Sequence, residues 1–67
     1  MSYPTLIGEM AKKKITIESM AQFLGLHRNT VSHKLNEGTF CVEEALEIHE
    51  KFFPEWDLGK LFERGHK

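Results

Sequence analysis

Residues 16–36 read TIESMAQFLGLHRNTVSHKLN, two helical patterns separated by a tight turn, and the reading of the whole chain works outward from them. In the first, Ile17, Met20, Ala21 and Leu24 recur at i, i+3, i+4 and i+7, one face of an α-helix, and Thr16 stands before it as an N-cap. Gly25 follows, where a residue without a Cβ takes positive φ at no steric cost, and Leu26 tucks the turn inward. In the second, Val31 and Leu35 are the only apolar residues between Arg28 and Asn36, so that helix turns a narrow seam to the core. Ala21 supplies the small residue that two helices joined by a short turn need where they touch. The pattern predicts a helix-turn-helix.

With Val31 and Leu35 inward, a 100° step per residue places Asn29, Ser32, His33 and Asn36 on the far side, with Arg28 and Lys34 on the flanks. Arg pairs bidentately with guanine and Asn with adenine in the major groove, Ser and His make single contacts, and no acid lies between Arg28 and Asn36. This face suits base and phosphate recognition, whereas the plainer alternative is the solvated side of a small bundle.

The stretch ITIESMAQFLGLHRNTVS, residues 15–32, resembles the LTxxxLAxxLGxSRxTxS string of the lambda-repressor-like (Cro and phage repressor) helix-turn-helix family. The start, YPTLIGEMAKKK, and the tail, KLNEGTFCVEEALEIHEKFFPEWDLGKLF, look like the small phage and prophage regulators of Gram-positive bacteria. The resemblance implies an all-α bundle of about five short helices whose third enters the major groove. It implies base reading by Arg28, Asn29, Ser32 and His33. Backbone contacts fall to Thr16, His27, Thr30, Lys34, Asn36 and the run Lys12, Lys13, Lys14. It also implies a homodimer on a near-palindromic double-stranded operator, joined through Trp56, Leu58, Leu61 and Phe62, about two of which are expected to pack inward instead. Three positions depart from the pattern: His27 replaces the usual Ser or Thr N-cap, Ile17 the usual phosphate-binding Gln, and Lys34 a position that is often apolar.

Sixty-seven residues make one domain, 1–67, whose core supplies about 3 to 5 kcal/mol unless association adds to it. Cys41 is the single cysteine, which excludes an internal disulfide and a C-x-x-C site and suits a reducing bacterial cytoplasm. No apolar run approaches a membrane span, and the N-terminal segment carries Glu9 and three lysines where a signal peptide is apolar. The net charge is −1, yet residues 1–39 carry five bases against three acids and residues 40–67 four against seven. The positive half holds the proposed reading helix, and the acidic half is expected to face away from phosphates.

Outside the central stretch, a first helix is expected from Pro4 to Lys13 with Leu6, Ile7 and Met10 inward, its last lysines complementing the helix dipole or touching phosphates. Gly38 stops the third helix. Cys41 and Glu44 form a capping box for a fourth, with Phe40 stapled onto Ala45 and a buried stripe of Val42, Ala45, Leu46, His49, Phe52 and Phe53. His49 reads as a satisfied core histidine, since no carboxylate or cysteine stands at i+4. Pro54 breaks that helix, Asp57 caps a short last one, and residues 64–67 are expected to fray. No metal, cofactor, small-molecule ligand or catalytic residue is expected. The alternative function is a protein-interaction module, an antirepressor or accessory factor that keeps the fold.

Overall fold

Most helix boundaries carry a local signal. The structure is a computed structural model describing residues 2–65, and five helices occupy them: α1 (Pro4–Lys13), α2 (Ile17–Leu24), α3 (Arg28–Glu37), α4 (Val42–Phe52) and α5 (Leu58–Leu61). Pro4 opens α1 at a position where its missing N–H loses nothing. Thr16 Oγ1 accepts the Ser19 N–H at 3.0 Å at the start of α2. The Cys41 N–H donates to Glu44 Oε1 at 3.0 Å at the start of α4, and the Lys60 N–H to Asp57 Oδ2 at 3.1 Å at the start of α5. The first three helices each end on a left-handed residue, Lys14 (φ 59°), Gly25 (φ 72°) and Gly38 (φ 70°). These turns satisfy the last carbonyls: Ile15 N–H reaches Met10 O at 2.8 Å, Leu26 N–H reaches Ala21 O at 2.9 Å, and Thr39 N–H reaches Lys34 O at 3.1 Å.

Two of these left-handed positions predict opposite outcomes. A side chain at Lys14 costs about 1 to 2 kcal/mol that glycine avoids, so Lys14→Gly is expected to stabilise by about 0.5 to 1 kcal/mol after the added freedom of the unfolded chain. A Cβ at Gly25 meets no atom within 4 Å, so the cost of Gly25→Val is the backbone's own, about 1 to 2 kcal/mol or more. Thermal melts at equal concentration should move in opposite directions, and an unmoved Gly25→Val midpoint would mean that the turn lies elsewhere.

The core gathers Tyr3, Leu6, Met10, Met20, Ala21, Val31, Leu35, Phe40, Ile48, Phe53 and Leu61, so every helix contributes. Tyr3 is its hub: the ring stacks on Phe40 at 5.7 Å and meets Phe62 edge-on at 5.3 Å, and its Oη accepts the buried Phe40 N–H at 2.9 Å. Phe40, expected to pack on Ala45, is thus buried against the start of α1.

Three further expectations need correction. Ile7 does not face inward with Leu6 and Met10 but is 39% exposed, because Tyr3, Leu6 and Met10, at i, i+3 and i+7, already fill the inner face of α1. The stripe of α4 is rotated: Ile48 is fully buried, with Ala45 and Phe52 flanking it, whereas Val42 is 73% and Leu46 42% exposed. Glu44, at i−4 from Ile48, faces α3 and fixes that rotation. Finally, the chain after α5 does not fray at its first residues. Arg64 Nε donates to Gly38 O at 2.6 Å and Gly65 N–H to Ser2 O at 3.0 Å, and His66 and Lys67 lie outside the described residues.

Candidate nucleic-acid interface

An eight-residue helix, a three-residue turn begun by a left-handed glycine and a ten-residue helix follow one another from Ile17 to Glu37, and α2 packs on α3 more than on any other helix. This is a helix-turn-helix. Val31 and Leu35 are buried, and the opposite side of α3 leaves Asn29, His33 and Asn36 exposed, with Thr30 and Glu37 beside them. Ser32 is half-buried and, with Asn36, borders an apolar cleft of about 250 Å³ formed by Ile7, Met10, Ala11, Ile15, Ile17 and Leu35.

His27 caps α3 with its ring: Nδ1 accepts the Asn29 N–H at 3.1 Å, doing what a Ser or Thr oxygen does elsewhere. That bond needs the lone pair on Nδ1, so the ring hydrogen sits on Nε2. Arg28 lies in the first turn, exposed, with one guanidinium nitrogen 3.1 Å from Glu18 Oε2 on α2. Both side chains are more than 60% exposed, and such pairs contribute about 0 to 1 kcal/mol, so the guanidinium exchanges partners readily. Glu18, Gln22, His27 and Arg28 border one shallow depression over the turn. Glu18 and Gln22 were missed in the sequence, although their i, i+4 spacing puts them together on the outer face of α2.

The structure brings only some of the expected backbone contacts to this face. Thr16 Oγ1 accepts the α2 cap bond, which leaves its O–H as a donor at the start of that helix. Lys12 pairs with Glu9 at 3.2 Å but keeps a 76% exposed side chain, and Lys14 is exposed. Lys13 turns away: its Nζ donates to Phe52 O at 2.8 Å, lies 2.7 Å from Glu55 and sits over the Phe53 ring, capping the C-terminus of α4. Lys34 is likewise engaged, both Glu44 oxygens accepting from its Nζ at 2.8 and 2.9 Å. Of the four residues expected at a dimer contact, Leu61 is fully buried in the core and has no side-chain surface to present. Trp56, Leu58 and Phe62 are half-buried. His49 is satisfied within the fold, its Nε2–H donating to Trp56 O at 2.6 Å.

Burial pushes the Glu44 carboxyl up, but its hydrogen bonds from Lys34 and from the Cys41 N–H outweigh this and hold it below the usual carboxylate value. The hydrogen bond from Lys13 does the same for Glu55, and the bond to Glu44 holds the Lys34 ammonium above its ordinary value. A carboxyl depressed on folding adds stability above its unfolded-state value and loses it as pH falls through the folded-state value. The contribution of these two carboxyls to the melting temperature is therefore expected to be constant above about pH 5 and to be lost below about pH 4.3, less steeply in Glu44→Gln; an identical acid limb in that variant would remove Glu44 from the account.

The chain is 35% identical over 51 residues to antitoxin HigA-1 of Vibrio cholerae, in a match that takes in 67% of this chain and 49% of the relative. It thus spans about half the length of the curated relative it matches. No family model matches the chain, and no solved structure does. Among the described residues no helix is long and apolar enough to cross a membrane, and no three His, Cys, Asp or Glu side chains are grouped to hold a metal ion.

Proposed function

We propose that this protein is a sequence-specific DNA-binding transcriptional regulator without chemistry of its own, residues 1–67 acting as one domain that lays α3 in the major groove. The observation that carries the reading is the exposed face of α3, on which Arg28, Asn29, His33 and Asn36 stand clear of the core with no acid between the first and the last. Arg28 and Asn29 lie in the first turn, where helix-turn-helix proteins touch base edges. Lys12 and Lys14 remain available for phosphates, whereas Lys13 and Lys34 belong to the fold.

The finer assignment, a Cro-type phage or prophage repressor, rests on the motif in residues 15–32. In that role the protein occupies promoter DNA in the bacterial cytoplasm as a homodimer, because one ten-residue helix reads too few base pairs for useful specificity. Two-fold symmetry then asks for inverted half-sites about 10 to 10.5 base pairs apart, or a multiple. The contact, placed in residues 56–62, has the half-buried Trp56, Leu58 and Phe62 to use. Selection of bound fragments from random DNA by the purified protein tests the reading: recovery of an inverted repeat supports it, and recovery of no enriched sequence sinks it.

A second reading, a protein-interaction module, draws on the relative's being an antitoxin and on the exposed Val42 and Leu46 of α4, which stand beside the exposed Glu43, Glu47 and Glu50. Failure of the selection together with a discrete complex between this protein and another would favour it.

A further inference from the structure

The proposed reading helix is poorly enclosed. Among the described residues α2 is the one helix that packs on it extensively; its α1 side borders the apolar cleft, and it has no comparable packing with α4. Only Val31 and Leu35 bury its inner face, and they lie four residues apart near its middle. A helix held by one short seam is free to roll about that seam unless something outside it fixes the angle. Two polar ties reach its C-terminal half: Glu44 grips Lys34 with both oxygens, and Arg64 Nε donates to Gly38 O at the cap.

Of the two, the Glu44 tie is the more constrained at both ends. Its carboxylate also accepts the Cys41 N–H at 3.0 Å, so the group that holds Lys34 is itself pinned to the first turn of α4. Side-chain exposures of 26% for Lys34 and 18% for Glu44 keep most water away from the pair, unlike the open pair of Arg28 with Glu18. Two bonds accepted by one carboxylate, itself held by a third at the cap of its own helix, thus join α3 to α4 where apolar packing does not.

We propose that Glu44 is a positioning residue for DNA reading: by holding Lys34 it sets the roll of α3, and with it the aim of Arg28, Asn29 and His33, without touching DNA. The inference rests on the DNA-binding reading given above. It has an unusual corollary, because breaking the tie frees the Lys34 ammonium. The released charge strengthens attraction to any phosphate backbone while the base-reading side chains lose their fixed aim.

The test compares Glu44→Gln with the wild-type protein on the duplex recovered by selection and on a scrambled duplex, across a salt series, with circular dichroism at the assay temperature to report the folded fraction. Gln keeps an oxygen for the Cys41 N–H, so the α4 cap survives. The expected result is an affinity about tenfold lower on the selected site and equal or higher on the scrambled one, with a salt slope steeper by about one. The double variant Lys34→Met with Glu44→Leu, which restores a contact without charge, should regain discrimination at the original slope or a shallower one. A Glu44→Gln protein that discriminates as well as wild type overturns the proposal, as does an equal loss on both duplexes matching the loss of folded fraction. A folded wild-type protein that binds neither duplex overturns the DNA-binding reading itself, and the positioning role with it.

Discussion

Tyr3→Ala is expected to lose about 3 to 5 kcal/mol, the range for truncating a large buried aromatic, and so to be largely unfolded in a domain whose core supplies little more. The side chain is 2% exposed and does three things at once: it stacks on Phe40, meets Phe62 edge-on, and takes the Phe40 N–H through its hydroxyl. It therefore joins the start of α1 to the loop after α3 and to the end of α5, segments far apart in the chain. Tyr3→Phe separates the contributions. The ring contacts survive, but the buried Phe40 N–H loses its acceptor, which costs about 1 to 3 kcal/mol. Urea denaturation read by circular dichroism should place the midpoints in the order wild type, Tyr3→Phe, Tyr3→Ala. A Tyr3→Phe midpoint equal to wild type would mean that the amide finds water and that the hydroxyl is not part of the tie.

Local patterns in the sequence predict the backbone of this fold well, and the reason is physical. Thr16, Gly25, Gly38, Cys41 with Glu44, and Asp57 act on groups within a few residues of themselves, so their signals need no knowledge of the rest of the chain. Lys14 shows the limit of that rule. It takes the same left-handed cap as the two glycines, yet nothing in its residue type announces it.

What the sequence conceals is rotation and long-range pairing. The apolar residues of α4 cover so wide an arc that periodicity allows more than one inward direction, and Ile48 defines it only once α3 and its Lys34 are in place. Lysines are harder still, since residue type gives a charge but not a partner. Lys13 and Lys34 look like phosphate ligands in the chain and act as ties to α4 in the fold, 39 and 10 residues from the groups they reach. The exposure of Arg28, Asn29, His33 and Asn36 was legible because the narrow seam of Val31 and Leu35 leaves α3 only one inward direction.

That same geometry makes Arg28→Ala the most informative change at the proposed interface. The residue is exposed and its one partner, Glu18, sits in an equally open pair, so removal should shift stability by no more than about 0.5 kcal/mol. If the guanidinium pairs with a base edge, the loss on the selected duplex should be about 1 to 3 kcal/mol, or roughly 5- to 150-fold in affinity, with preference relaxed at one base pair. Glu18→Gln is the natural companion: it leaves Arg28 in place and removes the acid that competes with DNA for it. That variant should bind somewhat more tightly to every sequence, since a negative charge near the phosphates is gone and one guanidinium is freed. Anisotropy titrations of both variants against the selected duplex and a panel of single base-pair changes decide the matter. Loss by the same factor on every duplex would make Arg28 a phosphate ligand, and no loss on any would mean that the first turn of α3 does not meet the DNA.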